Sequence, residues 1–127
     1  MSTSKKVTLF IVDDDPAYLK IVAWHLKAKN AFDIHTFESG EACLENLNLK
    51  PEVIVLDYYL GSKEQINGKE VFLTIQKISP KPKVIMMSGQ TDGNLVLELI
   101  NMGVRDYIIK EDKDALQELD EALEEFI

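Results

Sequence analysis

Apolar runs in this chain repeatedly end on residues that can do chemistry. Val7-Thr8-Leu9-Phe10-Ile11-Val12 stops at Asp13-Asp14-Asp15, and Val53-Ile54-Val55-Leu56 stops at Asp57. Two further runs, Lys83 to Met87 and Tyr107 to Ile109, close on Ser88-Gly89 and on Lys110. A carboxylate at the end of a buried strand is costly to desolvate unless a cation or hydrogen-bond donors meet it. Three carboxylates brought together would repel, and at least one pKa would rise unless a cation intervened. Oxygen ligands of this kind suit a hard divalent ion, above all Mg²⁺, which keeps several waters and needs few protein ligands. Lys110 adds a point positive charge and Ser88 a hydroxyl donor. Together they suit a dianionic tetrahedral group attached to, or attacked by, a carboxylate. That is phosphoryl chemistry, where positioning and charge neutralisation supply most of the catalysis.

Such residues act together only if the chain folds them to one place. The apolar runs are continuous rather than alternating, the mark of strands buried on both faces of a parallel sheet. Phe32 and Ile34 alternate with Asp33 and His35, which predicts a shorter strand nearer an edge. Between the strands the apolar spacing turns helical. Pro16, capped by Asp15 or Asp14, opens a helix over Ala17 to Ala28 carrying Tyr18, Leu19, Val22 and Leu26. Ser39 caps a helix through Leu47, with Ala42, Cys43 and Leu47 facing inward. Lys69 to Ile78 form a third helix, stopped by Ser79-Pro80. A fourth runs from a Thr91 or Asp92 cap to Met102, with Gly103 as terminator. A fifth covers about Asp112 to Ile127 with Leu116, Leu119, Leu123 and Phe126 in register. Five strands alternating with five helices predict a doubly wound α/β fold: a five-stranded parallel sheet with helices on both faces. In such a sheet the carboxyl ends of the strands share one edge, where Asp13, Asp14, Asp57, Ser88 and Lys110 would converge.

The bulk properties narrow the function. The chain has 127 residues and a formal net charge of −8, enough for one ordinary domain over residues 1–127 with a single core. No basic run is present to neutralise phosphates, which argues against nucleic acid as a partner. No stretch approaches the roughly 20 apolar residues of a membrane span. The polar start, Met1-Ser2-Thr3-Ser4, runs straight into a strand without a secretory signal. Cys43 is the only cysteine, so an internal disulfide and a cysteine-based zinc site are excluded. A cytoplasmic location fits these features.

The order of acid pair, Asp, Ser and Lys at successive strand ends resembles the receiver domain of two-component response regulators, single-domain chemotaxis regulators in particular. The resemblance covers essentially the whole chain and implies the flavodoxin-like receiver fold. It implies that Asp57 accepts a phosphoryl group from a histidine kinase or a histidine phosphotransfer protein. Mg²⁺ would be held by Asp14, Asp57 and the backbone carbonyl of Tyr59, with Asp13 acting mainly through water. Ser88 would hydrogen-bond a phosphoryl oxygen, Lys110 would pair with the phosphate, and Tyr107 would be the aromatic whose rotamer follows Ser88. The phosphorylated form would then signal by binding a downstream protein or a second receiver. Self-catalysed phosphorylation and hydrolysis would be slow signalling chemistry rather than metabolic turnover.

Three features depart from the family pattern. Glu111 stands where a Pro commonly follows the lysine, close enough to compete for Lys110. The loop after Asp57 lacks a Pro near Gly61 and is about three residues longer before its Gly. Tyr59 and Gln90 occupy positions that tune dephosphorylation in the family, and a bulky Tyr59 would slow hydrolysis. Two other readings stay open. Asp13-x-Asp15 after a first strand also resembles the nucleophile motif of haloacid-dehalogenase-type phosphatases, in which Asp13 rather than Asp57 would carry the phosphoryl group. An unphosphorylated receiver-like adaptor is the other. His25 and His35 lack an acid partner in sequence and read as surface histidines, and Trp24 and Cys43 read as packing residues. The helix after Ser88 carries Leu95, Val96, Leu97, Leu99, Ile100 and Met102, an apolar arc of roughly 220°. A partly buried helix would use the whole arc; on the receiver resemblance, the excess instead forms part of an output face with Tyr107 and the last helix, where the family commonly binds targets or another receiver.

Overall fold

A computed structural model describes residues 5–60, 67–89 and 92–127. Five strands, β1 (Val7–Val12), β2 (Phe32–Phe37), β3 (Val53–Leu56), β4 (Lys83–Ser88) and β5 (Asp106–Ile109), form one sheet in the order β2-β1-β3-β4-β5. Every pairing is parallel. The helices are α1 (Pro16–Lys27), α2 (Gly40–Glu45), α3 (Gly68–Ile75), α4 (Gly93–Asn101) and α5 (Ala115–Leu123). This is the doubly wound arrangement expected from the alternating periodicities, with β2 and β5 at the edges.

Successive strand residues point to opposite faces, and both faces are covered. Leu9, Ile11, Val53, Val55, Ile85, Met87 and Ile108 pack against Leu19, Val22 and Leu26 of α1 and Leu119 and Leu123 of α5. The alternate residues, Phe10, Val12, Ile54, Leu56, Val84 and Met86, pack with Cys43 of α2, Val71, Phe72 and Ile75 of α3 and Leu99 of α4. Two-sided burial is why the strands read as unbroken apolar runs. Burial also pushes the Cys43 thiol up to about 12, so it behaves as an apolar packing residue.

The caps lie where the side chains dictate. Asp15 Oδ1 accepts from the backbone N–H groups of Ala17 and Tyr18 at 3.0 and 3.4 Å, with Pro16 at the first helical position. Ser39 Oγ accepts from Ala42, and Asp92 accepts from Asn94; Thr91, the alternative cap, lies outside the described residues. Gly103 follows α4 with φ +111°, a conformation that suits glycine.

Several boundaries differ from the sequence reading. α2 ends at Glu45, because the Asn46 amide turns back to the Ala42 carbonyl at 2.7 Å. A 3₁₀ turn at Leu47–Leu49 and left-handed Lys50 then lead into β3. α3 ends at Ile75, before Ser79-Pro80; the Gln76 side chain reaches across to donate to the Met102 carbonyl at 3.0 Å. α5 begins at Ala115 because Asp112 forms a turn of its own, its carboxylate accepting from the Asp114 N–H. Its last turn, Glu124–Phe126, is 3₁₀.

Three side chains contradict the sequence reading, one of them His35, whose Nε2 lies 3.3 Å from Asp33 Oδ2. Trp24 is 82% exposed rather than packed. At 100° per residue it lies about 160° round α1 from both Val22 and Leu26, which face the sheet. His25 does have an acid partner, Asp120 of α5, at 2.9 Å from Nε2, and Lys29 joins the same carboxylate at 3.2 Å. That acid is 95 positions away in the chain, so sequence proximity gave no sign of it.

Candidate functional site

The carboxyl edge of the sheet gathers the residues singled out above. Asp13 leaves β1 after its N–H donates to the Phe37 carbonyl, and Asp57 leaves β3 after its N–H donates to the Val12 carbonyl, both at 3.0 Å. These two bonds extend the ladder one residue past each strand and hold both carboxylates at the sheet edge. Ser88 is the last residue of β4, and Lys110 follows β5 with its N–H donating to the Ser88 carbonyl at 2.9 Å. Asp13, Asp57 and Ser88 are the buried polar residues among those described, at 3%, 5% and 0% exposure.

Lys110 supplies the compensation that burial demands. Its ammonium pairs with Asp13 Oδ2 and lies 2.8 Å from Asp57 Oδ2. The remaining carboxylate oxygens are met by backbone donors, Asp13 Oδ1 by the Asp15 N–H at 2.9 Å and Asp57 Oδ1 by the Tyr59 N–H at 3.1 Å. Burial still pushes the Asp13 carboxyl above the ordinary carboxylate range, with the Asp57 charge adding to it, against the pull of Lys110 and the Asp15 N–H. For Lys110 burial works downward, yet its bonds to the two carboxylates outweigh it and hold the ammonium above the usual lysine value.

Asp14 is exposed and completes a trio: one oxygen from each of Asp13, Asp14 and Asp57 lies within 4.8 Å of the others. Three carboxylates against one ammonium leave two formal negative charges, the charge of one divalent cation. Hard oxygen donors with one solvent-facing member fit Mg²⁺, which prefers to keep waters. Tyr59, whose carbonyl the sequence reading assigned to the metal, lies two residues past Asp57 with its backbone against that carboxylate. Its ring projects outward and meets Tyr58 edge-on.

Tyr107, in β5 beside β4, is half-buried. Burial raises its phenol pKa, against a hydrogen bond with Ser88, so the aromatic and the hydroxyl of the expected switch pair are in contact. Glu111 does not capture Lys110, whose ion pairs are with Asp13 and Asp57. Its carboxylate instead lies over Gly89, so close that a Cβ built there would be 3.1 Å from Glu111 Oε1. Gln90 and the longest part of the loop after Asp57, residues 61–66, lie outside the described residues.

Three features of the site were missed in the sequence. Gly68 packs under the site: its N–H donates to the Tyr58 carbonyl at 2.7 Å, and its Cα lies against the Asp57 carbonyl. Asn67 and Glu70 form a capping box that anchors α3 directly after the loop; the Asn-x-x-Glu spacing was a readable signal. Tyr18, assigned to the core face of α1, also places its ring 4.6 Å from Lys110 Nζ. No spacing rule joins residues 18 and 110.

A doubly wound parallel sheet with buried acids, a serine and a lysine at its carboxyl edge is the flavodoxin-like scaffold that the sequence predicts. The response regulator receiver domain family matches residues 9–123, and the chain belongs to that family, the signal-receiving domains of two-component systems. It is 32% identical over 124 residues to the transcriptional regulatory protein GlrR of Escherichia coli K12, covering 95% of this chain and 27% of that protein. It thus spans about a quarter of the length of the first curated relatives it matches. It is 26% identical over 102 residues to the chemotaxis protein CheY of Thermotoga maritima, covering 79% of this chain and 82% of CheY. Among solved structures, the BeF3-activated DrrB receiver domain superposes with a TM-score of 0.75 at 28% identity, covering 94% of this chain and 99% of that one. Among the described residues no helix is long and apolar enough to cross a membrane.

Proposed function

We propose that the chain is a phosphorylation switch in which Asp57 accepts a phosphoryl group from a phosphohistidine donor, a histidine kinase or a histidine phosphotransfer protein. The observation that carries this reading is the seating of Lys110 on the Asp57 and Asp13 carboxylates beside the Asp14 carboxylate. An Asp57 oxygen attacks phosphorus as the donor P–N bond breaks, its electron pair returning to the imidazole ring. Asp14, Asp57 and the Tyr59 carbonyl would hold Mg²⁺, with Asp13 acting mainly through water. When bound, such an ion would supply charge neutralisation to the phosphoryl oxygens. Lys110 moves its charge from the carboxylates to the phosphoryl oxygens, and Ser88 donates its hydroxyl to another. Tyr107, already bonded to Ser88, then changes rotamer as Ser88 shifts.

The output is binding in the cytoplasm, to a protein target or to a second receiver, with residues 1–127 acting as one receiver unit. The apolar arc of α4 supports this. Leu99 is buried, Leu95 and Val96 are half-exposed, and Leu97 and Ile100 are 59% and 40% exposed, so the arc is not consumed by the core.

The test is intact mass after incubation with Mg²⁺ and a small acyl phosphate, comparing the natural chain with Asp57→Asn. A single adduct in the natural chain, absent in the variant and in EDTA, is the expected result. An adduct that survives in Asp57→Asn would move the nucleophile elsewhere, to Asp13 on the phosphatase reading. No adduct under any condition would favour the adaptor.

A further inference from the structure

Lys110 Nζ pairs with the carboxylates of Asp13 and Asp57 and also lies over the Tyr18 ring, 4.6 Å from its centroid. Both carboxylates also belong to the trio that a divalent cation would draw on, and they cannot serve metal and ammonium equally. An aromatic face is no ligand for a hard oxygen-seeking ion, but it attracts an ammonium. Tyr18 is itself well anchored. It is the third residue of α1, its N–H is tied to the Asp15 cap, and its side chain packs on the core shared by α1 and α5.

We propose that Tyr18 is a positioning residue that keeps Lys110 Nζ beside Asp57 once a divalent cation has taken over the carboxylates. The lysine then meets the incoming phosphoryl group instead of swinging to solvent or to the neighbouring Glu111 carboxylate. This role rests on the phosphoacceptor reading above. It needs the ring face and not the hydroxyl, so phenylalanine serves in its place.

The test pairs a spectroscopic measurement with a rate. In the natural chain the Lys110 ε-methylene protons are displaced upfield by the Tyr18 ring current, and the displacement persists at saturating Mg²⁺. Its disappearance on adding Mg²⁺ would overturn the proposal. The rate of adduct formation from the acyl phosphate is then compared for Tyr18→Leu, Tyr18→Met and Tyr18→Phe, each folded variant checked by its thermal transition. The apolar variants lose on the order of ten-fold and phenylalanine recovers the rate; in a Lys110→Ala background the loss vanishes. An equal loss in that background, or a phenylalanine variant as slow as leucine, would also overturn it. If the natural chain forms no adduct, the phosphoacceptor reading falls and the transfer role of Tyr18 with it, while the ring-current displacement reports the lysine seat independently.

Discussion

The Asp57 carbonyl and the Cα of Gly68 are in such close contact that a Cβ at position 68 would lie 2.1 Å from the Asp57 oxygen and 2.7 Å from the Tyr58 Cα. Both obstacles are backbone, so neither can rotate away. The first residue of α3 is therefore pressed against the turn that carries the phosphoacceptor candidate. Gly68→Ala is expected to destabilise the chain by about 1–3 kcal/mol through overpacking and to slow phosphoryl acceptance by displacing Asp57. Urea unfolding and the rate of adduct formation measure the two effects. A variant of natural stability and rate would show that the contact is slack.

Asp13 works against the fold at neutral pH. Its pKa is raised on folding, so the stability it contributes is present below the unfolded carboxylate value and lost as pH rises through the higher folded value. Asp13→Asn removes that loss and leaves Lys110 its bond to Asp57. The variant should be more stable at pH 7 by on the order of 1 kcal/mol. The gain should shrink as pH falls toward the ordinary carboxylate range. Urea midpoints of both proteins across that range decide it, and a gain that does not vary with pH would exclude the linkage.

Divalent cations should offset the negative charge gathered by Asp13, Asp14 and Asp57. At ten times its dissociation constant, Mg²⁺ adds about 1.4 kcal/mol by mass action, raising the thermal midpoint of a chain this size by a few degrees. Asp57→Asn and Asp14→Asn should blunt the response, as read by thermal scans in Mg²⁺ and in EDTA. A full response in both variants would place the ion elsewhere.

Tyr59 projects outward two residues past Asp57 and is 55% exposed. On the phosphoacceptor reading proposed above, a bulky side chain at this position would limit water's access to the phosphoryl group, so Tyr59→Asn should shorten the phosphorylated lifetime several-fold. The decay of the intact-mass adduct after donor removal gives the answer, and an unchanged lifetime would remove the idea.

The two sides of α1 should respond very differently to truncation. Leu26 is fully buried, and Leu26→Ala should cost about 2–5 kcal/mol. Trp24, although larger, faces solvent, and Trp24→Ser should change stability by less than about 0.5 kcal/mol. Chemical denaturation of both variants checks the contrast.

The sequence by itself determined the parts of this protein that depend on local pattern. Unbroken apolar runs required a sheet covered on both faces, and helical spacing between them required crossovers that leave all strands parallel. That topology was enough to send Asp13, Asp14, Asp57, Ser88 and Lys110 to one edge, because the register of a parallel sheet is set by burial along each strand. Caps such as Asp15 and Ser39 were equally legible, being contacts within three residues. What only the tertiary structure decided involves partners far apart in sequence or differences of angle on a helix. Trp24 was assigned to packing by residue type, while its direction depended on which arc of α1 met the sheet. Asp120 met His25 because α1 and α5 cover the same face of the sheet, and the Tyr18 ring met Lys110 because the starts of α1 and of the segment after β5 lie at the same sheet edge. Gly68 met the Asp57 carbonyl through steric contact between backbones, which leaves no mark in apolar periodicity.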